Sequence, residues 1–139
     1  MGIKGELNYT VQEEDTAKAM GTGDLDIFST SKMIAMLELT VCKSLEKHLN
    51  KEITTVGKSM SIQHFCPTPV GTVIKFESEL VKIDGKNLTF EIKALDPFGV
   101  MGAGIHERTI VDKQYFTMKA LVKLSLIHIS EPTRLALIS

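Results

Sequence analysis

Hydrophobic and polar positions divide the chain into one long helical pattern and a series of strand patterns. The helical pattern is Phe28–Leu49, FSTSKMIAMLELTVCKSLEKHL, with no Gly or Pro until Gly57. At about 100° per residue, Met33, Ile34, Leu37, Val41 and Leu45 share one face, and Lys32, Lys43, Glu46 and Lys47 lie away from it. Ser29, Thr30 and Ser31 open the run with hydroxyls that can accept from the free amides of a first turn. Glu38 sits at the border of the apolar stripe, between Ile34, Val41 and Leu45.

The remaining periodicity is that of strands. Leu7, Tyr9 and Val11 alternate with polar neighbours and predict a half-buried strand over 5–12. Gly21, Gly23, Asp24 and Asp26 predict a loop, with a helical turn over 16–20, placed to cover the start of the long helix. A strand over 54–65 turns Met60, Ile62 and His64 to one side and Ser59, Ser61 and Gln63 to the other. Pro67 and Pro69 cannot donate to a ladder and end it. Ile74–Leu80 and Leu88–Ala94 form a hairpin across an Asp84-Gly85 turn, and Asp96–Gly99 makes the next turn. In the last strand, 100–111, Gly102, Ala103 and Gly104 predict a bulge, a bend or a close approach to the backbone. A short terminal helix is expected over 112–121. Strand, loop, long helix and four closely connected strands specify an α+β fold, a curved antiparallel β-sheet around one long central helix.

Composition adds boundaries. At 139 residues, 43% hydrophobic and 24% charged, the chain fits one globular domain with a real core. A net charge of -1 offers no electrostatic case for nucleic acid or an anionic membrane, and no apolar run is long enough to span a bilayer. The opening MGIKGELNYTVQEED has no apolar signal-peptide core, so a cytoplasmic location is expected. Cys42 and Cys66, the only cysteines, lie in no metal-binding spacing and read as buried small hydrophobes, although Cys66 near His64 also allows a nucleophile pair. His48, His64, His106 and His128 fall in different elements; neither a metal nor a cofactor is expected. Residues 1–124 form the expected domain, and 125–139, SLIHISEPTRLALIS, reads as an appended stretch of translated vector or adaptor sequence.

Three residues carry candidate chemistry, each with a plainer alternative. Glu38 is either a boundary carboxylate reaching water or one held beside an apolar pocket for acid–base or nucleophilic work. His64 is a satisfied core histidine or a proton carrier, and Thr30 an N-cap or a group that binds or delivers a nucleophile. Thr30 and Glu38 stand about 12 Å apart along a helix, so a shared substrate atom requires either a non-helical start or two subunits.

Four segments taken together, FSTSKMIAMLE at 28–38, TTVGKSMSIQHFCPTPVG at 54–71, IDGKNLTFEIKALD in the hairpin region at 83–96, and GAGIHERTIVDKQYF at 102–116, resemble the hotdog-fold thioesterases. The resemblance covers about residues 5–120 and is to the branch that includes fluoroacetyl-CoA thioesterase. It implies a hotdog fold and hydrolysis of an acyl-CoA thioester. It further implies catalytic roles for Thr30, Glu38 and His64, substrate-binding roles for Gly57 and Arg108, and a homodimer, open to further assembly, with its sites at the subunit interface. Arg108 or a surface lysine such as Lys58 is then open to pair with CoA phosphates, and Arg108 equally with a strand neighbour. The loop GTGDLDIF has Phe28 but no aromatic cluster for an apolar lid, so selectivity for a fluorinated acyl group is not carried over and a small or medium acyl group is expected. A hotdog dehydratase or hydratase, and a non-catalytic acyl-CoA-binding module, are the competing readings.

Overall fold

The computed structural model describes the backbone of residues 2–138 and the side chains through residue 126. Strand β1 (Lys4–Thr10) is followed by the helical turn α1 (Ala17–Met20) and the long helix α2 (Thr30–Leu45). Strands β2 (Ile53–His64), β3 (Val73–Asp84), β4 (Asn87–Asp96) and β5 (Gly99–Asp112) follow, then helix α3 (Lys113–Ile138). The five strands form one antiparallel sheet in the order β1-β3-β4-β5-β2, with α2 packed against β3 and flanked by β1, β2 and β4. This is the α+β architecture the patterning predicts.

Helix α2 is shorter at both ends than its pattern. Phe28 is drawn into a bridge with Thr16, and Glu46–His48 tightens into a single 3-10 turn. Its buried face comprises Met33, Met36, Leu37, Thr40, Val41 and Leu45, rotated slightly from the predicted stripe, so that Ile34 is only half-buried. These side chains meet Ile74, Phe76 and Leu80 of β3 and Leu88, Phe90, Ile92 and Ala94 of β4, the predicted inward positions of both strands.

The turns follow from local chemistry. The first hairpin turns on Gly85-Lys86, one residue beyond Asp84-Gly85; Gly85, at φ 62°, takes the left-handed first position of a two-residue loop. In the second, the Asp96 carboxylate accepts from the Phe98 and Gly99 amides. Asp112 likewise accepts from the Tyr115 amide and starts α3. The short helix expected over 112–121 is therefore the first part of a longer one. Most of the 125–139 stretch lies outside the residues whose side chains are described.

Register shifts fall between Gly57 and Ser59, between Leu80 and Lys82, and between Ala94 and Leu95, and such bulges bend strands around a helix. The small residues of β5 serve close approach. A Cβ on Gly104 would overlap the Ser61 carbonyl and lie 2.7 Å from the Ile62 Cα, whereas one on Gly102 would meet the flexible end of Met33 at 2.8 Å and the Gln63 carbonyl, less severely, at 3.1 Å. Gly104→Ala is therefore expected to cost about 2–3 kcal/mol through overpacking, and Gly102→Ala distinctly less, because a methionine end can move and a neighbouring strand cannot. Urea unfolding of the two variants checks the order; equal midpoints would contradict it.

Candidate active site

Two polar clusters lie along the inner side of α2, one at its start and one two turns further on. At the start, the cap is made by Ser29, whose hydroxyl accepts from the Lys32 amide at 3.0 Å. That leaves the Thr30 hydroxyl free of capping duty, and it meets His64 Nδ1 at 2.8 Å. His64 Nε2 is buried with no hydrogen-bond partner. If Thr30 donates to Nδ1, the orphan atom is an N–H; if Nδ1–H donates to Thr30, it is a lone pair. Either way the far nitrogen is buried without a partner, and the Thr30–Nδ1 edge is the exposed side of the pair. Burial pushes the His64 pKa down, so the ring favours its neutral form.

The loop ahead of α2 is tied to this site. Phe28, fully buried, sets its ring edge-on to His64 with centroids 6.5 Å apart, while its amide donates to the Thr68 carbonyl at 2.8 Å. The Ser29 amide donates to the carbonyl of Asp15, and the buried Asp15 carboxylate accepts from the Tyr9 hydroxyl and pairs with Lys32 at 3.5 Å. Desolvation first, then the bond to Asp15, pushes the Tyr9 hydroxyl up to about 12 and keeps it a donor.

The second cluster surrounds Glu38, whose side chain is 42% exposed. Arg108 Nη1 donates to Glu38 Oε2 at 3.4 Å. The guanidinium is itself buried, donating through Nε to Thr55 Oγ1 at 2.8 Å and through Nη2 to the Thr55 carbonyl at 3.0 Å. His106, also buried, sits 3.1 Å from Nη1 through its Nε2 and 2.8 Å from the Ser59 carbonyl through Nδ1. Gly57 closes the junction: a Cβ there would lie 3.1 Å from Glu38 Oε2, 3.5 Å from Arg108 Nη1 and 3.7 Å from the His106 ring. A side chain would crowd the carboxylate, which accounts for a glycine in mid-strand.

The structure therefore joins Thr30 to His64, and Glu38 to Arg108 and Gly57, without a hydrogen bond between the two groups. Arg108 points inward, onto its strand neighbour Thr55 and onto Glu38, away from any surface position for a CoA phosphate; Lys58 is exposed, 3.4 Å from Asn87 Oδ1. The cysteines differ from the buried hydrophobes predicted. Cys42 is half-buried, and Cys66, in the bend beyond the last residue of β2, is exposed. Sequence reasoning missed Thr55 and His106. The period-two alternation of β5 places His106 on the same face as Arg108, a signal that was available. Among the described residues, no group of three or more His, Cys, Asp or Glu side chains converges as a metal site. A groove of about 830 Å³ on the opposite face of the sheet, lined by residues such as Gln63, Glu77, Glu91 and Ile105, touches neither cluster.

Comparison with known proteins returns one consistent answer. Residues 11–114 match the family model described as fluoroacetyl-CoA-specific thioesterase. The fluoroacetyl-CoA thioesterase of Streptantibioticus cattleyicolor is 24% identical over 98 residues, 70% of each chain. A solved structure of the fluoroacetyl-CoA thioesterase FlK superposes with a TM-score of 0.82 at 21% identity, covering 88% of this chain and 96% of that one. A thioesterase-superfamily member from Thermus thermophilus gives 0.80 at 19% identity, covering 93% and 94%. The fold is thus the hotdog fold.

The two buried rings set the acid stability. The pKa values of His64 and His106 are both lowered from 6.5, chiefly by burial, so the unfolded chain binds protons that the folded chain refuses. Stability is then expected to fall as pH drops from about 6.5 toward the depressed native values. Unfolding temperatures measured between about pH 7 and pH 5 test this. A flat or rising profile would contradict it, and His64→Asn should flatten the slope.

Proposed function

The chain belongs to the family of fluoroacetyl-CoA-specific thioesterases and is a thioester hydrolase acting on acyl-CoA, and from that premise we propose that it releases a small or medium acyl group at a site built from Thr30, Glu38 and His64. The observation that carries the site is the 2.8 Å contact between Thr30 and His64, made while Ser29 supplies the helix cap. A hydroxyl released from capping, against a neutral imidazole whose other nitrogen has no partner, is a pair with a proton to move.

The chemistry follows from the groups present. Water attacks the thioester carbonyl carbon as the Glu38 carboxylate takes its proton; where the carboxylate itself attacks, the acyl group passes to Glu38 as an anhydride, which water then hydrolyses to the free acid. The charge that develops on the carbonyl oxygen is favoured by the positive end of α2, where Thr30 sits. The C–S bond breaks, and the proton taken from the attacking water passes to the departing thiolate of CoA by way of His64, whose ring is neutral before and after the step. Arg108, anchored twice by Thr55, holds one carboxylate oxygen of Glu38 and leaves the other for water or substrate. The acyl size is inferred from the loop ahead of α2, where Leu25 is exposed and no aromatic cluster encloses the acyl position. The solved relatives have been seen with fluoroacetate and CoA, and with acetyl-CoA, which supports a small acyl-CoA as the first substrate to test.

The active unit proposed is a homodimer. Strand β2 is an outer strand of the sheet, paired on one side within the chain, 12 residues long, with Lys58 and the terminal His64 its only basic side chains. Such an edge is a template for a second copy. If two β2 strands pair antiparallel about Met60 and Ser61, position 57 of one copy lies opposite position 64 of the other. Glu38, held over Gly57, then faces the Thr30–His64 pair of the second copy. This arrangement removes the separation of about 12 Å that one helix imposes between Thr30 and Glu38. A cytoplasmic location is proposed with it; among the described residues no helix is long and apolar enough to cross a membrane.

Two experiments follow. Release of free thiol from acetyl-, butyryl- and octanoyl-CoA is expected to be fastest for the shorter chains and to fall by about a hundredfold or more in Glu38→Gln. Undiminished hydrolysis by that variant would remove Glu38 from the mechanism. Co-refolding Glu38→Ala with His64→Ala is expected to restore activity that neither variant has alone, because a mixed dimer contains one intact composite site. Persistent inactivity of the mixture, with dimers present, would place each site within one chain.

A further inference from the structure

The steps above leave His106 unused, although it is a titratable side chain with 1% exposure at the centre of the Glu38 cluster. Its two ring nitrogens have different partners, and those partners fix its state. A guanidinium has only donors, so Arg108 Nη1, 3.1 Å from Nε2, requires a lone pair there. The Ser59 carbonyl, 2.8 Å from Nδ1, accepts, so the proton belongs on Nδ1. One form of the ring satisfies both bonds: neutral, with Nδ1–H. Protonation would place an N–H against the guanidinium, and the other tautomer would leave the carbonyl without its donor. Burial and the Arg108 charge both push the pKa of the ring down, while the Ser59 bond and the Glu38 charge push it up, with burial the largest effect.

The β2 bulge supplies the carbonyl. The ladder shifts between Gly57 and Ser59, opposite Arg108 and Glu107, and the ring of His106 reaches back across β5 and β2 to Ser59. Met60 and Phe90 stand beside His106 on the neighbouring strands and exclude water from it. Thr55 holds the Nε and Nη2 edge of the guanidinium, and His106 holds the Nη1 corner, the corner that touches Glu38. The ring stands 3.9 Å from the carboxylate, so its hold on Glu38 runs through Arg108.

We propose that His106 is a positioning residue for the reaction: as the neutral Nδ1–H tautomer it accepts from Arg108 and fixes the guanidinium corner that aims Glu38. The kinetic consequence rests on the catalytic role given to Glu38 above; the tautomer does not. His106→Leu removes the acceptor while keeping an apolar side chain among Met60 and Phe90, and His106→Gln returns an acceptor that cannot titrate. Leu is expected to lower kcat about tenfold or more with KM little changed, and Gln to recover part of the loss. In a Glu38→Gln background the Leu substitution is expected to have no further effect, because its route to the substrate is gone. An equal loss in both backgrounds would show a general structural role and overturn the proposal. If Glu38→Gln proves fully active, the reading of the active site fails instead. The imidazole ¹⁵N spectrum of the wild-type protein at neutral pH then decides the positioning claim, as it does if the Leu variant does not fold. A bare Nε2 with a protonated Nδ1 supports it, and a protonated Nε2 overturns it.

Discussion

Met33, Leu37, Val41 and Leu45 leave water together when helix α2 lies across the concave face of the sheet, and the other features of the molecule accommodate that contact. Each such side chain contributes roughly 1.5–3 kcal/mol on burial, and Phe76 and Phe90 close the same layer from the sheet. To wrap the helix, β2, β3 and β5 take bulges, and β5 gives up side chains at Gly102 and Gly104. Helix and sheet approach closely enough that a Cβ at position 57 would lie 3.1 Å from the carboxylate of a glutamate at the edge of the apolar stripe.

That closeness gives the polar groups their properties. Arg108 is buried with two bonds to Thr55, and a buried guanidinium with a donor to spare must find an acceptor; Glu38 and His106 both answer it. His64, at the far end of β2, is desolvated beside Phe28 and bound to Thr30. Both imidazoles favour the neutral form for the same reason, burial, yet only His64 has a nitrogen left without a partner. A ring with both nitrogens committed is a fixed strut, and a ring with one nitrogen unspent is suited to proton transfer.

Much of the fold was legible because period-two and helical alternation report burial directly. The inward positions of β3 and β4 and most of the α2 stripe read correctly from the pattern alone. Ends were less legible. Phe28 left the helix for a bridge with Thr16, and the hairpin turned one residue later than Asp84-Gly85, since both choices depend on partners distant in sequence or on register. Of the proposed site, Thr30, Glu38 and His64 stood out as candidates in the chain, and Gly57 and Arg108 were implied by the family resemblance. His106 and Thr55 were not: alternation along β5 puts His106 on the face of Arg108, but the bonds that tie both residues to the guanidinium form only when β2 and β5 pair.

The sequence by itself determined the elements and their order, because hydrophobic period and residue type are local properties of the chain; the residues proposed for acyl transfer were marked out by the family resemblance. The tertiary structure alone decided which hydroxyl caps the helix and which is released to His64, and that Arg108 turns inward to Glu38. It also decided the tautomer of His106. Those outcomes depend on which donors and acceptors are carried out of water together. That selection is made only when α2, β2 and β5 close on one another and every buried polar atom must take the partner within reach.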